Sequence, residues 1–203
     1  MIDVKEHMRA LLAAESRAVA SIPVTEGYAR AVELIAGLQQ SGGKLITSGM
    51  GKAGQIAMNI ATTFCSTGTP AVFLHPSEAQ HGDLGILQPK DVMLLISNSG
   101  KTREICELTQ LARGLNPEVP FIVITGKEES ELALAADVCL PTGGAAEVCP
   151  LGLTPTTSTT QMTVIGDVLV TAVMRAIGFT REQYALRHHG GYLGQASRGE
   201  VKN

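Results

Sequence analysis

Ser97-Asn98-Ser99-Gly100-Lys101-Thr102-Arg103-Glu104 stands between an apolar run, Asp91 to Ile96, and the segment Ile105 to Leu115, whose apolar residues recur at helical spacing. The run predicts a buried strand and the segment a helix, so the local order is strand, hydroxyl-rich turn, helix. In that order the unpaired N–H groups of the helix's first turn face the turn, and the helix dipole adds partial positive charge there. Ser97, Ser99 and Thr102, with the small Gly100 among them, make a cradle suited to a phosphate. Ser and Thr also cap helices and a first-turn Glu complements the dipole, so each residue taken singly has a purely local explanation. Glu104 has no place in anion binding. A carboxylate beside such a cradle points to a substrate that carries a phosphate at one end and loses a proton at the other.

Outward from this turn the pattern repeats. Lys44 to Thr47 is a short strand, Ser48-Gly49-Met50-Gly51-Lys52-Ala53-Gly54 a glycine-rich turn, and Gln55 to Phe64 a helix. Pro70 to Leu74, Phe121 to Ile124 and Val138 to Leu140 read as further strands, while His75 to Gly85 is irregular. Thr156 to Ile177 is a long apolar helix, followed by a charged segment from Thr180 to His188-His189-Gly190-Gly191. Two amphipathic helices, about Val4 to Ser21 and Thr25 to Ser41, come before the first strand, the second stopped by Gly42-Gly43. They either cover the sheet or form part of an oligomer surface. Strands alternating with helices predict a parallel sheet covered on both faces, with ligands at the carboxyl ends of the strands. Both turns and the His75 to Gly85 stretch fall at that edge.

Composition narrows the function. A chain of 203 residues with no low-complexity run fits one domain, here residues 43–203 preceded by helices within 1–42. A net charge of −3 and 3% aromatic residues with no Trp give nucleic acid neither a basic surface nor stacking platforms. No window approaches 18 uncharged apolar residues and the start lacks a signal-peptide pattern, so no membrane contact is expected. Cys65, Cys106, Cys139 and Cys149 form no CxxC pair and suit a reducing cytoplasm.

Other readings of the motifs are weaker. Gly49-x-Gly51-x-x-Gly54 between strand and helix fits a dinucleotide fingerprint. The acid that fingerprint needs after the second strand is missing, because that strand ends Phe73-Leu74-His75, and Lys52 has no part in it. A phosphate-binding P-loop fails because Leu95 stands where its leading Gly belongs. His75, His81 and Asp83 match no common metal spacing. Glu147 is the only charged residue between Asp137 and Asp167, and a desolvated carboxylate there is expected to titrate high, toward the range of a base. Its bland alternative is an exposed loop acid.

The combined motifs are Ser48 to Gly54, His75-Pro76-Ser77-Glu78-Ala79-Gln80-His81-Gly82-Asp83-Leu84-Gly85, Ser97 to Gly100, Glu147-x-Cys149-Pro150, Leu153 to Thr159, and His188-x-Gly190-Gly191-x-Leu193-Gly194. In this order, from about Gly43 to Gly194, the chain resembles a SIS (sugar isomerase) domain, and more narrowly the arabinose-5-phosphate isomerases. The resemblance implies a Rossmann-like three-layer α/β/α sandwich around a five-stranded parallel sheet. It implies interconversion of D-ribulose 5-phosphate and D-arabinose 5-phosphate, the first step toward Kdo in lipopolysaccharide or capsule, with no metal or organic cofactor. It also implies catalytic roles for Lys52, Glu104, Glu147 and His188, and substrate contacts from Ser48, Gly49, Gly51, His75, His81, Ser97, Ser99 and Thr102. Family members are usually homotetramers with sites at subunit interfaces, so His81 or His188 is expected to serve a neighbour. Two departures stand out. Members usually carry tandem CBS domains after the Gly-Gly turn and this sequence ends at Asn203, so feedback by a Kdo compound is expected at or near the active site itself. His189 replaces a usual Pro, leaving open which histidine enters the site.

Aldose–ketose isomerisation through an enediol needs a base, a donor to the carbonyl oxygen and a grip on the remote phosphate. Glu147 is the first candidate base and Glu104 its rival. Lys52 is placed to stabilise the enediolate oxygen, and His188 to open the furanose or shuttle a hydroxyl proton. A non-catalytic sugar-phosphate sensor would keep the hydroxyl cradle without needing Lys52, Glu147 and His188 together. An isomerase of another phosphosugar would keep all of them.

Overall fold

The strand sequences are apolar at nearly every position, which requires a sheet buried on both faces. The computed structural model, which describes residues 3–200, has this arrangement. In chain order the elements are α1 Val4–Ala20, α2 Gly27–Ser41, β1 Leu45–Gly49, α3 Gly51–Ser66, β2 Ala71–Phe73, α4 Pro76–Ala79, β3 Val92–Ile96, α5 Arg103–Leu115, β4 Phe121–Thr125, α6 Glu131–Leu134, β5 Val138–Pro141, α7 Thr157–Ala176, α8 Arg181–Ala185 and α9 Gly191–Ser197. A single 3-10 turn, Asp83–Ile86, lies between α4 and β3. The five strands are all parallel, in the order β2-β1-β3-β4-β5. The fold is the expected three-layer sandwich.

Alternate strand residues feed two cores. Leu45, Leu94, Ile96, Ile122, Ile124 and Leu140 pack with Ile35 of α2, Phe64 of α3 and Ile165 and Leu169 of α7. Ile46, Met93, Leu95, Phe121 and Val123 pack on the other face with Ile105 and Leu108 of α5 and Leu132 of α6. At the amino ends of the strands Asp91, 1% exposed, accepts the Lys44 N–H at 2.9 Å and the Gln88 N–H at 2.8 Å and pairs with the Lys44 ammonium at 2.5 Å. A buried carboxylate needs that many partners. The N-terminal helices belong to the same body: α2 enters the first core, and α1 is tied to α7 by the Gln161 amide donating to the Ala18 carbonyl at 2.8 Å.

Because β2 and β3 lie on opposite sides of β1, the chain reverses direction across the sheet between β1 and β3. Loops leaving two such strands diverge and open a crevice at their carboxyl ends. The turns after β1 and β3 are the two glycine- and hydroxyl-rich segments. One differs from its expected form: α3 starts at Gly51, with φ +57°, so Gly51 to Gly54 form the helix's first turn instead of a loop before it. The close approach of Gly49 and Gly54, where a Cβ on either would meet the other's backbone within 3 Å, explains why glycine stands there.

Candidate active site

The cradle after β3 is preorganised. The Ser97 and Thr102 hydroxyls are hydrogen-bonded at 2.8 Å, the Gly100 N–H donates to Ser97 Oγ at 3.1 Å, and the Lys101 N–H donates to Ser99 Oγ at 3.2 Å. Thr102 is the N-cap of α5 with no side-chain capping bond of its own, so the free amides of a 13-residue helix face the turn. Gly100 has φ +61°, and a Cβ there would overlap the Ser130 side chain. Ser97, Asn98, Ser99 and Thr102 form one wall of a cavity of about 470 Å³.

Lys52 and Glu147 line the same cavity, with Met50, Lys127, Leu153, Ser158 and Thr159. Lys52 is exposed in the first turn of α3 and has no ion pair among the described residues. A second cavity of about 500 Å³ between α3 and α7 shares Lys52, Pro155 and Thr159 with the first, so these residues stand where the two meet.

Glu147 caps α7 from outside the helix. One carboxylate oxygen accepts the Thr156 N–H at 2.7 Å, the Thr156 hydroxyl at 2.9 Å and the Ser158 N–H at 3.3 Å, and the other accepts the Ser158 hydroxyl. This corrects the expected upward shift. Burial does push the carboxyl up, but the hydrogen bonds from Ser158 and Thr156 together outweigh it and hold the group below its ordinary value. It is therefore ionised at neutral pH, and the oxygen held only by Ser158 keeps lone-pair capacity. α1 steadies the same corner, since Glu15 accepts the Thr157 hydroxyl at 2.8 Å.

The other residues singled out from the sequence lie off this cavity within the one chain. Ser48 is buried and its hydroxyl donates to the Leu74 carbonyl at 2.6 Å, bracing β1 against the end of β2. Gly49 is the close-packed backbone beneath Gly54, and Gly51 starts α3. Glu104, with its side chain 28% exposed, sits in the first turn of α5 at 4.0 Å from Arg103, outside the cavity wall. His75 precedes α4, packs edge-on against Phe73 and has a buried Nδ1 with no hydrogen-bond partner among the described residues, while His81 is exposed. Neither lines the cavity, and His75, His81 and Asp83 do not gather as a metal-binding group among the described residues.

His188 does not line the cavity either. Its ring stacks on Tyr184 at 3.7 Å, and its Nδ1 lies 3.0 Å from the Tyr184 carbonyl. The segment is anchored where Phe179 packs on Gly68, with Arg187 over the Phe179 ring at 5.5 Å. Gly68 follows the carboxyl end of α3, whereas Lys52 is at its start, and a helix of 16 residues is roughly 24 Å long. Nor does His189 line the cavity.

Lys127, Asn98 and Ser158 were missed. Lys127 directly follows Gly126 after β4, so the rule that ligands sit at the carboxyl ends of parallel strands could have found it. Asn98 lay between two serines already chosen. Ser158 lies inside the Leu153 to Thr159 motif but was given no role of its own, because its bond to Glu147 forms only once the start of α7 is placed.

Comparison with known proteins agrees with this geometry. The SIS domain profile matches residues 37–172. Arabinose 5-phosphate isomerase KdsD of Shigella flexneri is 54% identical over 153 residues, 75% of this chain and 46% of the relative, so the chain spans about half the length of the curated relatives it matches. A Bacteroides fragilis NCTC 9343 protein named as a phosphosugar isomerase involved in capsule formation is 67% identical, with a TM-score of 0.92 over 93% of this chain and 99% of that one. An Escherichia coli CFT073 protein solved in complex with arabinose 5-phosphate is 34% identical, with a TM-score of 0.84 over 93% and 100%. With the profile covering most of its length and the cradle in the expected crevice, this chain belongs to the SIS-domain family.

Proposed function

We propose that this chain is an aldose–ketose isomerase acting on D-ribulose 5-phosphate and D-arabinose 5-phosphate, at the start of Kdo formation for lipopolysaccharide or capsule. The carrying observation is that Lys52 and Glu147 share one cavity with the Ser97, Ser99 and Thr102 cradle. The relatives named for arabinose 5-phosphate, and the one solved with that sugar phosphate bound, support the pentose as substrate.

In this mechanism the cradle holds the phosphate, and its binding energy orients carbons 1 and 2. Glu147, ionised at neutral pH, takes the proton from C1 of the ketose and returns it at C2, while the proton of the C1 hydroxyl passes to the C2 oxygen so that the aldehyde forms at C1. The Lys52 ammonium stabilises the enediolate oxygen as charge develops. Glu104 is the rival base if the first turn of α5 reorients on binding. Turnover measured by NMR across pentose and hexose phosphates tests the assignment. Ribulose 5-phosphate should be the preferred ketose, with Lys52→Met and Glu147→Gln each slower by at least about tenfold, the low side of a single acid–base group's usual contribution. A hexose phosphate turned over faster would contradict the substrate, and a near-normal Glu147→Gln would move the base to Glu104.

The assembly proposed is a homotetramer with sites completed between subunits, in which His188 or His81 serves a neighbouring copy. The distance between His188 and Lys52 within the chain supports this, as do Val4, Met8 and Leu12, exposed at four-residue spacing on α1. A Kdo compound acting as feedback ligand at the same cavity would raise the apparent KM and leave kcat unchanged in competition kinetics. The four free cysteines support a cytoplasmic setting, and no described helix is long and apolar enough to cross a membrane.

A further inference from the structure

Lys127 has no part in the mechanism above, yet it lines the same cavity as the hydroxyl cradle. Its backbone is stitched to that cradle. The Gly126 N–H donates to the Asn98 carbonyl at 3.0 Å, the Thr125 hydroxyl donates to the same carbonyl at 3.4 Å, and the Lys127 N–H donates to Thr125 Oγ1 at 3.2 Å. The Ser130 hydroxyl donates to the Lys127 carbonyl at 2.7 Å, and the Leu132 N–H to the Gly100 carbonyl at 3.1 Å. The turns after β3 and β4 therefore hold one another in register, and the lysine stem starts from a fixed base.

The ammonium on that base is uncommitted. Glu128 and Glu129 follow it in sequence, but among the described residues Lys127 makes no ion pair and no side-chain hydrogen bond. The cradle's other basic neighbours are occupied or turned away. Arg103 lies against Glu104 at 4.0 Å and Glu107 at 3.9 Å, and Lys101 is not on the cavity wall. A bound phosphate monoester brings a charge of about −1.5 to −2 at neutral pH into a cavity that already holds the ionised Glu147. Hydroxyls and amides orient such an anion but carry no net charge, and Lys52 is assigned to the oxygen at the reacting carbons. A compact, flexible ammonium suits the remaining need.

We propose that Lys127 is the phosphate-pairing cation of this site, the residue that makes binding depend on the substrate's ester charge. This rests on the reading that a sugar phosphate occupies the cavity. The test uses the full chain with Lys127→Met and Lys127→Arg, checked for folding by circular dichroism, and reads two quantities: KM and kcat for the isomerised sugar phosphate, and the affinity for inorganic phosphate by calorimetry. Losing one charge-assisted contact should raise both KM and the inorganic phosphate Kd by about tenfold in Lys127→Met, with kcat falling less than KM rises. Lys127→Arg should recover most of both, and raising the salt concentration should weaken phosphate binding less in Lys127→Met than in the unaltered chain. Unchanged phosphate affinity in Lys127→Met overturns the proposal, as does a loss confined to kcat. The two readings fail separately. If the unaltered chain isomerises no sugar phosphate while Lys127→Met loses phosphate binding, the cation assignment holds and the isomerase reading falls. Turnover with phosphate affinity indifferent to Lys127 gives the reverse.

Discussion

Cys149 lies two residues beyond Glu147 on the loop that rims the cavity, and its sulfur accepts the Thr154 N–H at 3.2 Å. Backbone hydrogen bonds from Thr154 and Leu153, joined by the Thr154 hydroxyl, lower its thiol pKa to about 7. Burial acts the other way on Cys106 and Cys139, pushing both thiols up. Since the thiolate is the nucleophile, iodoacetamide at neutral pH should label Cys149 ahead of Cys106 and Cys139, with a rate that climbs through pH about 7 and then levels. Peptide mass spectrometry over a pH series reads this. A Cys149 rate still rising through about pH 8.5, the range of an ordinary thiol, would contradict the arrangement. The same loop shows the limit of reading single residues. That Glu147 stands alone in an uncharged stretch was legible; that Thr156 and Ser158 turn back to hydrogen-bond it was not, because the donors lie nine and eleven residues on and meet it only when α7 starts where it does.

At the level of elements, the contact between β1 and α3 sets the position of Lys52. A Cβ on Gly54 would lie 2.5 Å from the Gly49 carbonyl oxygen, a backbone atom that cannot swing aside. Gly37, by contrast, is exposed in α2 with nothing within 4 Å of its missing Cβ. Alanine at Gly37 should therefore stabilise by up to about 1 kcal/mol through helix propensity. Alanine at Gly54 should have the opposite sign, since overpacking costs about 1–3 kcal/mol and the early helical position gains little. Thermal melts of the two variants check this, at about 2–4 °C per kcal/mol for a chain of this size, and equal stabilisation would refute the close approach. The strands and long helices were legible because their apolar periodicities are unmixed. The short α4, α6, α8 and α9 were not, since four to seven residues hold too little pattern to separate helix from loop. The glycines of Gly49 to Gly54 read as a loop for a related reason: their poor helix propensity hides a first turn that tertiary packing imposes.

For the whole molecule, the strand order β2-β1-β3-β4-β5 puts the crevice between the two turns that the sequence had marked. The alternation of strands and helices predicted that edge, and no property of one chain's sequence reveals which residues another copy would bring to it. If His188 or His81 completes a neighbour's site, light scattering after gel filtration should give about four times the chain mass of 21.3 kDa. An active monomer would contradict the assembly. The central claim is that Glu147 moves a proton between adjacent carbons of a sugar whose phosphate is held by Ser97, Ser99 and Thr102. It is tested most directly by following deuterium from D₂O into C1 of ribulose 5-phosphate by NMR, with the unaltered chain and with Glu147→Gln. The account predicts wash-in with the unaltered chain and a rate lower by at least about tenfold in the variant; no wash-in, or the same rate from both, would contradict it.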